Sequence, residues 1–433
     1  MQANERKQRI RQITGGDLYS TDGKGKKLRY NGEVKTFIEY DIPIDLLVFN
    51  VENGRIASLV KSFEREHSSL DPEKEVDAEQ ISKFLYSSNE PANDKTKKSI
   101  ANSGQLESGI ITSDGVIVDG NRRASLMLSI LHDETRYTPQ ERARCEKFRA
   151  VVLPEDANEK EILRLETTYQ MGADEKVGYN PIEKYLHARD MVNKGFPLED
   201  IADYMGLGST TKVQELLDIV ELIDLYLDNY DYSGIYTRLP RGFEDDLIKL
   251  NQAIKKIQKG SINWITEDIK SKVETDLKCL SFDYIRLNAK TDDGFDFRTI
   301  AYTSGGNILA TEEVWNKFVD NWVSATDDIE EESIDSVLST SRGLNDSDRL
   351  LERRDQEWRE KVKDKLLEGF SEARTTIENL KAKSKPSVLI NKAINALSQI
   401  DNTTLSSSKD KSSLKESIRR LTQLVSSITD ALN

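Results

Sequence analysis

Residues 109–131, GIITSDGVIVDGNRRASLMLSIL, constrain this chain more than any other stretch. Two short apolar runs flank Asp114-Gly115, a dipeptide suited to the positive φ angles of a tight hairpin. The second run leads into Asp119-Gly120-Asn121-Arg122-Arg123, and from Ala124 the apolar residues fall at 124, 127, 128 and 131, which is helical spacing. The pattern predicts a strand that turns through Gly120 into a buried helix with two arginines on its first turn. Helix N-termini attract anions through unpartnered N–H groups and the positive end of the dipole. Arginines oppose that dipole unless an anion arrives, and their planar forks suit phosphate oxygens. Asp119, Gly120, Asn121, Arg122 and Arg123 are therefore candidate phosphate-binding residues. The competing reading is a plain helix start whose arginines pair with surface carboxylates, and spacing alone leaves both open.

This segment resembles the core of the ParB N-terminal domain, whose signature places Gly-Glu-Arg-Arg or Gly-Asn-Arg-Arg after Ile-x-Asp. Residues 98–106 (KSIANSGQL) resemble the helix that precedes the hairpin in that family. Sulfiredoxins share the fold but carry a cysteine in the motif, where Asn121 stands here. The family's first box, Asn-Pro-x-Gln-Pro-Arg, is matched at Asn50 and Arg55, with Asn53 a near substitute and both prolines missing. Its last box, Glu-Asn-x-Gln-Arg followed by Asn-Pro, is approached by residues 166–171 (ETTYQM) and by Asn180-Pro181. Thr167 and Met171 replace the family's asparagine and arginine. The resemblance spans roughly residues 36–225. It implies that Asn50, Arg55 and Gln170 join the phosphate site, which would take CTP or ATP with magnesium. It also implies that Glu166 is the metal-binding carboxylate and the catalytic candidate.

A second pattern follows directly. Ala202 and Gly206 stand four apart, as the small residue and the turn residue of a helix-turn-helix do. Ser209-Thr210-Thr211 then caps a helix with apolar residues at 213, 216, 217 and 220. ParB proteins carry a helix-turn-helix in this place. Candidate DNA contacts are Ser209, Thr210, Thr211, Lys212 and Gln214, at the end where such helices enter the major groove. Glu215, Asp218, Glu221 and Asp224 make the later turns acidic, so a purely structural three-helix unit is the other reading.

Net charge is −14, which disfavours indiscriminate nucleic-acid binding, although residues 5–12 and 24–29 are basic. No apolar run approaches the length of a membrane span, so no membrane partner and a cytoplasmic location are expected. Cys145 and Cys279 lie far apart without CxxC partners, and His67, His132 and His187 share no ligand spacing. Neither zinc nor haem is expected.

The expected fold is an α+β ParB/sulfiredoxin-like N-terminal domain followed by mostly α-helical domains and a helical C-terminal tail. The divisions are a mobile basic arm (1–27), the α+β domain (28–172) with a polar insertion at 68–98, and the helix-turn-helix (178–230). A helical domain follows (231–325), with Trp264, Trp315 and Trp322 in its core and a small hairpin within 282–298. An acidic linker (326–345) leads to a helical hairpin or coiled-coil module (346–433). Its stripes at 358, 362, 366 and 370 and at 414, 418, 421, 424 and 425 predict self-association, with packing on the parent domain as the alternative. Three functions fit: a nucleotide-responsive DNA-binding protein of plasmid, phage or defence type, a non-catalytic scaffold, and a metal-dependent nuclease or kinase. The last would draw carboxylates from Glu166, Asp119 or Glu52.

Overall fold

A computed structural model describes residues 1–16, 20–171, 181–289, 293–301, 306–340, 344–383, 386–400 and 411–431. Its N-terminal part is built on one mixed sheet. β1 (Ser20–Tyr30) and β2 (Glu33–Pro43) form a hairpin closed by Asn31-Gly32. With β3 (Gly109–Ile111), β4 (Ile117–Asp119) and β5 (Lys147–Val152), the order is β1-β2-β5-β3-β4. β5 runs antiparallel to β2 and parallel to β3. β3 and β4 make the expected hairpin around Asp114-Gly115, where Thr112 N donates to Val116 O at 2.9 Å.

Alternation along β5 sends Phe148 and Ala150 to one face and Val151 to the other. The first face is covered by α1 (Ala3–Thr14), α2 (Ala57–Glu66), α3 (Glu75–Ser87), α4 (Glu90–Ser103) and α5 (Asn121–Leu131), which bury Ile10, Val60, Ile81, Ile100 and Met127 respectively. After the short α6 (Pro139–Ala143), α7 (Glu159–Met171) covers the second face, with Leu165 against Leu28, Ile110 and Val118. One expectation needs correction. The basic N-terminus is no mobile arm over residues 3–14, because Ile10 and Ile13 dock α1 into the core. Its cations are engaged as well: Arg6 with Glu73 at 2.8 Å, Lys7 and Arg11 with Glu155, and Arg9 with Glu5. Residues 68–98, expected to be a polar and partly helical insertion, are helical through α3 and most of α4, and α3 supplies Ile81 and Leu85 to the core.

The chain continues through α8 (Pro181–Asn193), α9 (Leu198–Tyr204), α10 (Thr210–Asn229), α11 (Phe243–Gln258) and α12 (Lys270–Leu287). Then come α13 (Arg298–Ala301), α14 (Glu312–Thr326), α15 (Ile334–Ser339), α16 (Leu344–Lys383), α17 (Pro386–Ser398) and α18 (Lys411–Asp430). No described helix is long and apolar enough to cross a membrane. The hairpin expected within 282–298 is absent among the described residues, because 282–287 are the buried last turns of α12. Trp315 is a core residue, whereas Trp264 and Trp322 are half-buried.

Two compact units emerge: Met1–Lys290 with Ser324–Asp364, and Thr291–Val323 with Lys365–Asn433. The expected acidic linker belongs to the first unit. Within that unit, Arg286 (1% exposed) lies between the rings of Tyr230 and Trp358, 4.4 and 4.5 Å from their centroids. It donates through Nη1 and Nη2 to Glu331 at 2.7 and 2.6 Å, and through Nε to Asp355 at 2.9 Å. Asp355, also buried, accepts from Tyr232 Oη at 2.8 Å and Arg238 Nη2 at 2.9 Å. Arg354 donates to Tyr232 Oη at 3.1 Å and lies 3.3 Å from Glu331. The acidic run therefore supplies counter-ions to buried arginines. The first C-terminal stripe is consumed within the chain: Trp358 and Val362 are buried in the first unit, Leu366 and Phe370 in the second.

Removing one partner from a buried ionic network leaves charge without compensation, at a cost of about 3–5 kcal/mol. Asp355→Ala should lose stability on that scale in guanidinium unfolding followed by tryptophan fluorescence. Glu360→Ala, at an exposed position of the same helix, should stay within about 0.5 kcal/mol of the parent.

Candidate functional site

The turn into α5 is made by Gly120 at φ 106°, and a Cβ there would come within 2.8 Å of the Phe148 ring. Among the described residues, no side chain at the N-cap position bonds the first-turn amides of α5. Those amides adjoin a cleft of about 80 Å³ lined by Asn53, Arg55, Thr96, Asp119, Gly120, Asn121, Arg122 and Arg123. Arg122 and Arg123 are half-buried, and Arg123 donates to Glu107 O. Lys26 on β1 reaches the same corner, with Nζ 4.0 Å from Asp119, 2.8 Å from Ser108 O and 4.9 Å from the Tyr169 ring centroid. Burial holds its pKa below the ordinary value; Asp119 opposes that shift and Arg123 adds to it. Three arginines and Asp119 line the cleft, and Lys26 stands beside Asp119. The volume is well under the ~300–1,000 Å³ of a typical small-molecule site, so it suits the anionic end of a ligand.

Behind the cleft, the loop carrying Arg55 is fixed by two side chains. Asn121 (2% exposed) accepts from Asn50 N at 2.9 Å and donates to Ile117 O at 2.9 Å. Glu166 (2% exposed) accepts from Asn50 Nδ2 at 3.3 Å, Asn53 Nδ2 at 3.3 Å and Gly54 N at 3.0 Å. Asn50 and Asn121 therefore use their side-chain amides to position the loop. Glu166 does not fit a magnesium ligand, because a metal would first have to displace three donors. Among the described residues no cluster of His, Cys, Asp and Glu is arranged to hold a metal. The other candidate carboxylates are paired too, Asp119 with Lys26 and Glu52 with Lys194 at 2.6 Å. Of the expected phosphate set, Arg55, Asp119, Gly120, Asn121, Arg122 and Arg123 meet at the cleft. The Gln170 side chain and Asn180 lie outside the described residues. Lys26 and Thr96 join the site without a signal in their own spacing.

The helix-turn-helix geometry is well formed. Gly206 at φ 66° ends α9, with Leu207 N donating to Ala202 O at 2.8 Å and Gly206 N to Asp203 O at 3.1 Å, a Schellman closure. Ser209 caps α10 by accepting from Lys212 N at 3.4 Å. Val213, Leu216 and Val220 are buried, which leaves Ser209, Thr211, Lys212 and Gln214 exposed and Thr210 partly so. Gln214 is tied to Asp218 at 3.0 Å, and Asp218 pairs with Lys255 at 2.7 Å. Asp224 pairs with Arg189 at 2.6 Å. Two of the acids that make α10 unpromising are thus neutralised locally, while Glu215 and Glu221 remain exposed.

α2 starts just after the Arg55 loop and meets α8 through Glu183, a buried carboxylate that accepts from Ser58 N at 3.1 Å and Ser58 Oγ at 2.5 Å. Desolvation pushes its pKa up to about 7 against these donors. His187, on the same helix, meets Thr167 Oγ1 at 2.7 Å, and burial pushes its pKa down to about 4. No sequence spacing foretells the Ser58–Glu183 pairing, since its partners are 125 residues apart.

Compared with known proteins, the chain matches no family and no curated relative.

Between about pH 4.5 and 7 the folded chain keeps a proton on Glu183 that the unfolded chain has released. This group's contribution therefore falls as pH rises through that window and is flat above it. His187 acts in the opposite sense between about pH 4 and 6.5, but it is common to parent and variant. Glu183→Gln should match the parent near pH 4.5 and exceed it by up to about 3 kcal/mol at pH 8, read as a difference between two unfolding series.

Proposed function

We propose that this chain is a ParB-like, nucleotide-responsive DNA-binding protein in which the turn into α5 takes a nucleotide's phosphate oxygens. The observation that carries the reading is the convergence of Arg55, Arg122 and Arg123 on the first turn of α5. Bidentate guanidiniums and first-turn amides are complementary to phosphate and gain most where water is partly excluded. The order of parts agrees with the resemblance: a hairpin–helix on a mixed sheet, then a helix-turn-helix. With Glu166 committed to the loop, charge neutralisation at the cleft falls to the arginines. The same loop touches the helical region through Glu52–Lys194 and, via α2, through Ser58–Glu183. An anion drawn onto Arg55 would therefore pull on contacts that also set α8. DNA would be met by Ser209 to Lys212, where the capped helix start faces outward.

A second reading is favoured by the mutual engagement of Asn50, Asn53 and Glu166: a scaffold that keeps the fold and binds no nucleotide. Calorimetry with CTP, ATP and GTP, each with and without magnesium, separates the two. Arg122→Ala/Arg123→Ala should weaken the bound nucleotide at least about a hundredfold, given roughly 1.5–3 kcal/mol per charged hydrogen-bonding partner. Unchanged binding in that variant, or no binding by the parent, overturns the nucleotide reading.

For DNA, Lys212→Glu should weaken binding and lower the slope of log affinity against log salt by about one. Lys317→Glu, on α14, should change neither in a mobility-shift titration. Lys256 is a poor control because α11 packs beside α10 through Lys255–Asp218. Absence of any shift at low salt removes the DNA half of the proposal.

A further inference from the structure

The basic run at 24–29 lies on β1, and its side chains divide between the two faces of the β1–β2 ribbon. Register sets Lys26 opposite Phe37 and Leu28 opposite Lys35 on the inner face, where Leu28 and Tyr30 share a core with Leu165. The outer face sets Lys27 opposite Thr36, Arg29 opposite Val34 and Gly25 opposite Ile38. Lys27, Arg29, Val34, Thr36 and Ile38 are all exposed, Val34 at 70% and Ile38 at 53%. No acidic residue shares this face between 25 and 38, and among the described residues neither cation has an ion-pair partner. On α1, by contrast, every cation is matched. The ribbon is also braced. Glu161 of α7 accepts from Asn31 N at 2.7 Å in the turn, Arg164 donates to Arg29 O, and Tyr169 Oη donates to Lys27 O at 3.2 Å. Those bonds use the outward carbonyls of the edge strand, so a peptide strand cannot add there and the ribbon offers a partner its outer face.

We infer that the outer face of the β1–β2 ribbon is a second DNA-contacting surface, which enters the major groove and sets Lys27 and Arg29 against phosphates of one strand. A two-stranded ribbon fits the ~12 Å width of that groove. Both cations stand on β1 and the other three side chains on β2, so one side of the ribbon meets the phosphate wall while the other lies toward the base edges. There Val34 and Ile38 suit thymine methyl groups, and Thr36 can donate or accept. The helix-turn-helix itself makes such cations necessary. α9, the helix that crosses the backbone in units of this kind, carries Glu199, Asp200 and Asp203. Arg164, which pins Arg29, also lies over the Tyr204 ring of α9 at 5.7 Å, so α7 braces the ribbon and the helix-turn-helix as neighbours. An acidic protein would match the two cations as well, but two scattered aliphatics fall short of the apolar centre that a stable protein interface needs. The inference rests on the DNA half of the proposed function and adds to it a surface separate from α10.

Fluorescence anisotropy of the full chain on a mixed-sequence duplex, titrated across salt, tests this. Lys27→Gln/Arg29→Gln should weaken binding about tenfold and lower the slope of log affinity against log salt by about two, with circular dichroism and Tm unchanged. Adding Lys212→Glu should bring the loss of slope to about three. A photo-cross-linker carried on Thr36→Cys should attach to the duplex, while the same label on Glu360→Cys, at an exposed position of α16, should not. If Lys212→Glu lowers the slope and the ribbon variant does not, the inference falls and the helix-turn-helix reading stands. The reverse result keeps the ribbon and removes the helix-turn-helix. A parent that binds no DNA overturns both. Equal labelling at the two cysteines also sinks the inference. So does a ribbon variant that loses poly-L-glutamate but keeps DNA, which would assign the face to an acidic protein.

Discussion

Arg286 is the point on which the first unit closes. A guanidinium held between two rings and three carboxylate oxygens has no alternative partner in an apolar interior, so every group that touches it is fixed in place. Those groups come from the segment after α10, from the acidic run before α15 and from α16. Joining them returns residues 324–364 to a body otherwise formed by residues 1–290. Buried ion pairs contribute modest net stability compared with well-packed apolar groups, but they penalise every arrangement that separates the charges. Here that penalty specifies where a 40-residue helix begins its path through the protein.

The same logic, at smaller scale, shapes the cleft. Its carboxylates and amides are satisfied by one another: Glu166 by the loop of Asn50 to Gly54, Asn121 by Asn50 and Ile117, Asp119 by Lys26. Arg55, Arg122 and Arg123 line the cleft beside them. A site arranged in this way is suited to holding an anion and poorly suited to delivering a general base, because each candidate base already accepts hydrogen bonds or pairs with a cation.

The hairpin at Asp114-Gly115, the turn at Gly120 and the helix after it were legible because each is dictated by residues within a few positions. So were the Ser209 cap and the Gly206 turn, whose chemistry is equally local. Long-range contacts were not legible. The isoleucines of α1 lie in a basic stretch that reads as an arm until the core they fill is known. The acidic run 327–335 reads as solvated because its arginine partners lie at 286 and 354. Local periodicity marked the stripe of α16 as apolar but could not say whether it faces its own chain or another. The resemblance to ParB pointed to Glu166 and Asn50 as ligands, and only their mutual hydrogen bonds reveal that they hold the loop.

If the proposed DNA-binding function holds, the self-neutralised surface of α1 bears on how the chain would search a chromosome. Proteins that slide along DNA do so through mobile cations that trade phosphate for phosphate without regard to sequence. Here Lys7, Arg9 and Arg11 are matched by Glu155 and Glu5, and the chain as a whole carries fourteen excess negative charges. On the proposed DNA-binding reading, a duplex would meet a repulsive far field and gain little until the start of α10 is aligned. Encounters would then be unsteered and short-lived away from the target, with occupancy governed by three-dimensional collisions and not by scanning along the contour.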